Sequence, residues 1–344
     1  QRQMCIRDRT NNGTLNLGGN QTLNNLLGSN TGAVNIGASN LLLTGGVDFQ
    51  GRINGEGGSV SAGPGDLILG GDNTFTGDLV ILHGSTTTLA GSVDGNVDVN
   101  AGGELTLGSA ERIADGANLN VNGTLNTNGE EAVNSLTATG AINGSGTVSA
   151  LTTDLADATV NANLAGGDLT SNGETNLNGN AAAGTVTVAG GTLTVDGALT
   201  NNAATVNVTD GTLAANGTIA ASSINVQDGA TLTTGEAERL NNGVALNADG
   251  TVSLGGNETI GDLSGSGTIA NNGNEFTINQ TSDQEFSGNI TGAGGLTKQG
   301  EAGLTLANGS DFTGVANINE GELTVSGDLA TNTINVANGA TLTT

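Results

Sequence analysis

Tryptophan and tyrosine are absent from this 344-residue chain, and cysteine, methionine, proline and histidine occur once each. One histidine and one cysteine cannot assemble a zinc site, which needs three or four nitrogen or sulfur ligands, and no second cysteine exists to close a disulfide. Basic residues are nearly missing too: 7 Lys+Arg stand against 33 Asp+Glu, a net charge of −26. Phosphate backbones and anionic headgroups repel such a chain, which excludes nucleic acid as a partner. No run of 18 apolar residues could span a bilayer as a helix, and no basic segment followed by an apolar one opens the sequence. An export signal or a membrane anchor is therefore expected outside these residues. No cofactor or metal is expected.

Glycine is abundant, with 60 residues. The first nine residues, QRQMCIRDR, stand apart, because they hold the sole Met4 and Cys5 and three of the seven basic residues. The string resembles the translated read-through of a sequencing-library adapter. We set residues 1–9 aside as a non-native tail; the remainder carries 4 Lys+Arg and 32 Asp+Glu, a net charge of −28. From residue 10 to 344 no composition break, proline-rich linker or charge block marks a boundary, so a single repeat domain is expected.

That domain repeats itself at three scales. TVTVAGGTLTVDGAL from Thr185 aligns with TVNVTDGTLAANGTI from Thr205 at an offset of 20, placing Val186 on Val206, Val188 on Val208, Gly191 on Gly211 and Leu193 on Leu213. Val206, Val208, Asp210 and Gly211 then recur 18 residues later as Ile224, Val226, Asp228 and Gly229. A larger cassette from Gly102 recurs at offset 127 from Gly229, including the pairs Glu111-Arg112 and Glu238-Arg239. Residues 13–107 align without a gap on 250–344 at offset 237, which puts Phe49 on Phe286 and Phe75 on Phe312. Four of the five phenylalanines are thus expected in equivalent packing positions.

Within the short unit, Val206-Asn207-Val208 and Ile224-Asn225-Val226 alternate apolar and polar, the period-2 signature of a strand with one buried face. Asn-Gly, Asp-Gly and Gly-Gly pairs between them supply the positive φ of tight corners. A meander of hairpins has no need of identical side chains at every twentieth position, whereas a coil that stacks turn on turn places like residues above one another. Stacked aliphatics then form a core, and stacked Asn or Thr form ladders. Helices are excluded, since glycine interrupts every stretch. The expected fold is all-β: a right-handed parallel β-helix (β-solenoid) of about 17–18 turns of 18–20 residues, a rod on the order of 80–85 Å long at about 4.8 Å per turn. The final GATLTT, Gly339 to Thr344, repeats Gly229 to Thr234 and stops inside a module, so a piece truncated at both ends is expected.

Residues 286–325 read FSGNITGAGGLTKQGEAGLTLANGSDFTGVANINEGELTV. They resemble the autotransporter passenger-associated repeat through Phe286, Gly288, Ile290, Gly292, Gly294, Gly295, Leu296, Lys298, Gly300, Leu304, Leu306, Phe312, Gly314, Ile318, Gly321 and Leu323. A second copy at 49–84 keeps Phe49, Gly51, Ile53, Gly55, Gly57, Gly58, Gly63, Leu67, Leu69, Phe75, Gly77, Ile81 and Gly84. It departs at Val60-Ser61-Ala62, where the lysine is missing, and at Pro64. The resemblance implies a passenger domain of type V secretion, displayed on a Gram-negative cell surface by a C-terminal β-barrel outside these residues. It implies a structural or adhesive role, with host surface or matrix molecules, or sister copies of the chain, as partners. A cysteine-free body is compatible with crossing an oxidising periplasm unfolded.

Candidate chemistry is sparse. His83 maps at offset 237 onto Glu320, so the repeat does not preserve it, and we expect a turn residue. GDLSGSG from Gly261 has the outline of a nucleophile loop without a nearby histidine to serve as base. Paired carboxylates on a β-helix can hydrolyse sugars, but the acidic residues here mostly sit in corners beside glycine, and aromatic platforms for sugar rings are absent. G-x-G runs such as Gly292-Ala293-Gly294 lack the strand-to-helix setting of a nucleotide fingerprint and read as corners. We therefore assign no catalytic, cofactor-binding or metal-binding residue. The readings left are an adhesive rod, a passive stalk for an upstream domain and, third, a glycan-active enzyme.

Overall fold

The computed structural model describes residues 9–200 and 204–344, so Met4 and Cys5 of the proposed tail lie outside the described residues. The chain falls into two compact units, Gln1–Gly167 and Asp168–Thr344. Among the described residues there are 45 strands and no helix. Each unit is a parallel β-solenoid, with about 17 turns between the two.

Alternation in the sequence becomes alternation in burial. In the second unit, Thr185–Val188, Thr192–Val195, Thr205–Val208, Thr212–Ala215, Ser223–Val226 and Thr231–Thr234 all bury their second and fourth residues and turn the first and third outward. Val186 pairs with Val206 and Val206 with Ile224, while Val188 pairs with Val208 and Val208 with Val226. The 20- and 18-residue offsets of the sequence are the lengths of these two turns. Leu193 stacks on Leu213 and Leu213 on Leu232, each fully buried. Each such side chain contributes about 1.5–3 kcal/mol relative to exposure. Every turn carries two main strands and a third contact, which narrows in places to a single bridge, as in the column Ala181, Leu199, Ile219 and Leu240.

Corners require glycine where backbone approaches backbone. Gly211 adopts φ +74, and a Cβ on it or on Gly217 would press into the carbonyl of the glycine one turn earlier, Gly191 or Gly197. An L side chain at Gly217 has no space to occupy.

The first unit repeats the design. Strands Leu79–Ile81 and Ser85–Leu89 are followed by a bridge at Val93, and this turn stacks on Ser59–Ala62, Gly65–Leu69 and Asn73. Phe49 pairs with Leu69 and Phe286 with Leu306, while Phe75 pairs with Gly55 and Phe312 with Gly292. All four rings are fully buried, so the two copies seat their phenylalanines equivalently.

The copies differ in register at several pairings, among them that of the strand bearing the lysine. In the first unit, Ser59–Ala62 buries Val60 and Ala62, and Val60 pairs with Leu79. In the second, Leu296–Gln299 buries Leu296, Thr297 and Lys298, and Leu296 pairs with Ala316, the counterpart of Leu79. A one-residue slip exchanges the two faces of a strand, and here it accompanies replacement of the lysine by Ser61.

Candidate functional site

His83 lies exposed in a turn, its Nδ1 3.3 Å from the Ala101 carbonyl oxygen, as expected of a corner residue. In the GDLSGSG segment, Ser264 Oγ donates to Asn247 Oδ1 (3.2 Å) and Ser266 Oγ to Asp249 Oδ1 (3.0 Å), so each hydroxyl is engaged one turn back. Gly292, with φ +115, ends a strand at a bend. Outward Asn and Thr form the anticipated ladders. Asn35 Nδ2 donates to Asn16 Oδ1 (2.7 Å), Asn54 Nδ2 to Asn35 Oδ1 (2.9 Å) and Thr74 Oγ1 to Asn54 Oδ1 (3.0 Å). In the second unit, Asn335 donates to Asn317 (2.9 Å), Asn317 to Thr297 (3.3 Å) and Thr297 to Glu275 (2.5 Å).

The interior holds polar groups that corner chemistry does not explain. Glu131 and Glu258 are each 1% exposed. Glu131 accepts the backbone N–H of Arg112 on Oε2 (2.9 Å) and of Ile113 on Oε1 (2.6 Å). Glu258 accepts those of Arg239 (3.1 Å) and Leu240 (2.8 Å) in the same order. The residues before the donors, Glu111 and Glu238, have φ 53 and 52. This left-handed step turns two successive N–H groups toward one side, making a nest for an anion. Burial pushes Glu131 up to about 6 and Glu258 up to about 7, against the opposing pull of the nest N–H bonds. All of these residues coincide at offset 127, so carrying the alignment of the Glu-Arg cassettes as far as 131 would have exposed the signal.

Lys298, the sole lysine of the chain, is fully buried between Ile278 and Ile318 of the adjoining turns. Its Nζ donates to the carbonyls of Gln299 (2.9 Å), Gly300 (2.8 Å) and Glu320 (3.2 Å). Burial pushes its pKa down, partly offset by Glu320 and Asp283. For Asp262 burial acts upward, but donations from Ser282 Oγ (2.6 Å), Thr281 N (2.6 Å) and Ser282 N (3.1 Å) outweigh it and hold the carboxyl below its usual range.

No family profile, curated protein or solved structure matches the chain.

Chemically, Glu131 and Glu258 have the proton affinity of a general acid, yet their oxygens are occupied by backbone donors and shielded from solvent. They organise loops. Among the described residues, no group of three or more His, Cys, Asp or Glu side chains is disposed to hold a metal ion. One surface concavity of about 320 Å³ in the second unit is lined by Asp283, Glu301 and Glu322 among others.

Proposed function

We propose that the chain is a structural and adhesive β-solenoid from a Gram-negative autotransporter passenger, non-catalytic and displayed on the cell surface. The observation that carries this reading is the placement of the repeat residues in both copies. Phe49 and Phe286 fill the same core position, Phe75 and Phe312 another, and Gly55 and Gly292 are the strand partners of the second pair. Lys298 closes its corner from inside the fold. The motif residues thus act on architecture, and what remains outside is a polar, strongly acidic surface of ladders suited to contact with host matrix molecules or sister copies.

Purified chain is expected to bind immobilised matrix glycoproteins or itself in a salt-dependent manner, measured by surface plasmon resonance and by sedimentation. Absence of both interactions would remove the adhesive role. The shortness of the loops, among them the stretch 108–117 between Glu104–Leu107 and Asn118–Val121, favours a second reading, a passive stalk that presents an upstream domain. The secretion class is tested by sequencing the reading frame past Thr344. An outer-membrane barrel there supports it, and an unrelated domain there overturns it.

A further inference from the structure

The tripeptide Asn-Asn-Gly occurs three times, at 11–13, 241–243 and 271–273. Asparagine followed by glycine carries a latent reaction, attack of the glycine backbone nitrogen on the asparagine side-chain carbonyl carbon, which the missing Cβ leaves unhindered. Sequence alone ranks the three sites equally, and the fold does not. At other Asn-Gly steps the nitrogen is locked in the stack: Gly123 N–H donates to Val99 O (2.9 Å) and Gly217 N–H to Val195 O (2.7 Å). In the three tripeptides the glycine stands in open space, where an added Cβ would meet nothing within 4 Å. The second and third also share their turn. Val244 N–H donates to Asn241 O and Asn274 N–H to Asn271 O, both at 2.8 Å, and each glycine N–H reaches the Oδ1 of the first asparagine at 3.3 Å. The central side chain is what separates them. Asn272 Nδ2 donates to Ser253 Oγ (2.9 Å) and Leu254 O (3.1 Å), and its backbone is left-handed at φ 52. Asn12 is tied as well, its Oδ1 accepting the Ser29 N–H (2.9 Å). Asn242 is exposed, and its side chain has no hydrogen-bond partner among the described residues.

We propose that Asn242 is a site of spontaneous modification, at which the folded chain converts its own asparagine to aspartate and isoaspartate. Hydroxide takes the Gly243 N–H proton as that nitrogen bonds to Asn242 Cγ. The Cγ–Nδ2 bond breaks, Nδ2 leaves as ammonia, and a cyclic imide closes. Water then opens the ring. Addition at Cγ restores the ordinary backbone with an aspartate side chain, whereas addition at the main-chain carbonyl carbon leaves the backbone running through Cγ as isoaspartate. The net change is amide plus water to carboxylate plus ammonium, with nothing oxidised or reduced. At Asn272 the same step requires the leaving Nδ2 to abandon two hydrogen bonds first. Either product adds a negative charge to a loop that already holds Glu236 and Glu238, and isoaspartate lengthens the backbone between the core residues Leu240 and Val244. The modification is independent of the adhesive reading.

Ageing the full chain, folded, in mildly alkaline buffer tests this. Cleavage after Arg239 and Lys298 once the aged chain has been unfolded places both asparagines in one fragment, 240–298. Electron-transfer fragmentation then locates the modified residue and separates aspartate from isoaspartate. Asn242 is expected to be lost on the order of tenfold faster than Asn272, the factor set by the hydrogen bonds that hold the latter. Ageing in concentrated urea should bring the two rates together, since the tripeptides are the same. Gly243→Ala, whose Cβ has open space to enter, should slow the loss of Asn242 and leave that of Asn272 unchanged. Equal loss of the two asparagines in the folded chain would overturn the proposal, and so would a preference for Asn242 that persists undiminished in urea.

Discussion

Lys298 combines two opposed demands, a charged head and a position inside a parallel stack, and meets both by spending its donors on carbonyls of its own corner and of Glu320. The aliphatic stem packs against Ile278 and Ile318. Lys298→Met keeps that packing and takes the charged donor from the carbonyls of Gly300 and Glu320, while Gln299 O still accepts from Gln280 N–H (2.9 Å), at a cost of about 1–3 kcal/mol. Lys298→Ala removes the stem as well and should cost about 2–5 kcal/mol, so the order Ala worse than Met is the expected result of urea denaturation of the full chain. The lysine was legible only as a motif position; nothing along the sequence reveals that it points inward, because the neighbouring Leu296 and Thr297 are also buried and the alternation is broken there. Glu131 and Glu258 were less legible still. In a chain with 33 acidic residues, a buried glutamate has no local signature, and the partners that make it tolerable are backbone groups 18 or 19 positions away.

At the level of strands and ladders the sequence was far more readable. Register followed from the repeat, since Val186 over Val206 over Ile224 is the arrangement in which every buried face meets a buried face. The slip at Ser59–Ala62 relative to Leu296–Gln299 escaped the gapless alignment, because an alignment compares positions and not faces. Along the Thr14–Asn16, Ala33–Asn35 and Arg52–Gly55 strands, the central asparagine of the ladder both donates and accepts. Asn35→Ala is expected to cost about 1 kcal/mol, and Asn16→Ala, at the end of the ladder, a smaller amount; the shift in denaturation midpoint at constant m-value checks both.

For the molecule as a whole, the net charge of −26 acts against compaction, and only seven basic residues are available to offset it. Arg239 with Glu236 makes the single ion pair found among the described residues. Stability rests instead on the stacked aliphatics and the backbone ladders, which are insensitive to salt. Raising ionic strength from about 10 mM to 150 mM shortens the screening length from about 30 Å to about 8 Å and relieves the self-repulsion. The thermal midpoint should therefore rise with sodium chloride over this range, measured by circular dichroism at 218 nm; a midpoint that falls would mean that attractive ion pairs dominate.

The burial of Lys298 also determines how the chain meets reactive chemistry. Because it is the sole lysine and its Nζ is committed to three carbonyls inside the fold, the folded surface offers no lysine amine to an electrophile. Glycating sugars, aldehyde fixatives and amine-directed cross-linkers therefore meet no lysine on the folded surface of these residues. Proteases that cut after lysine are left without a substrate bond until the second unit unfolds.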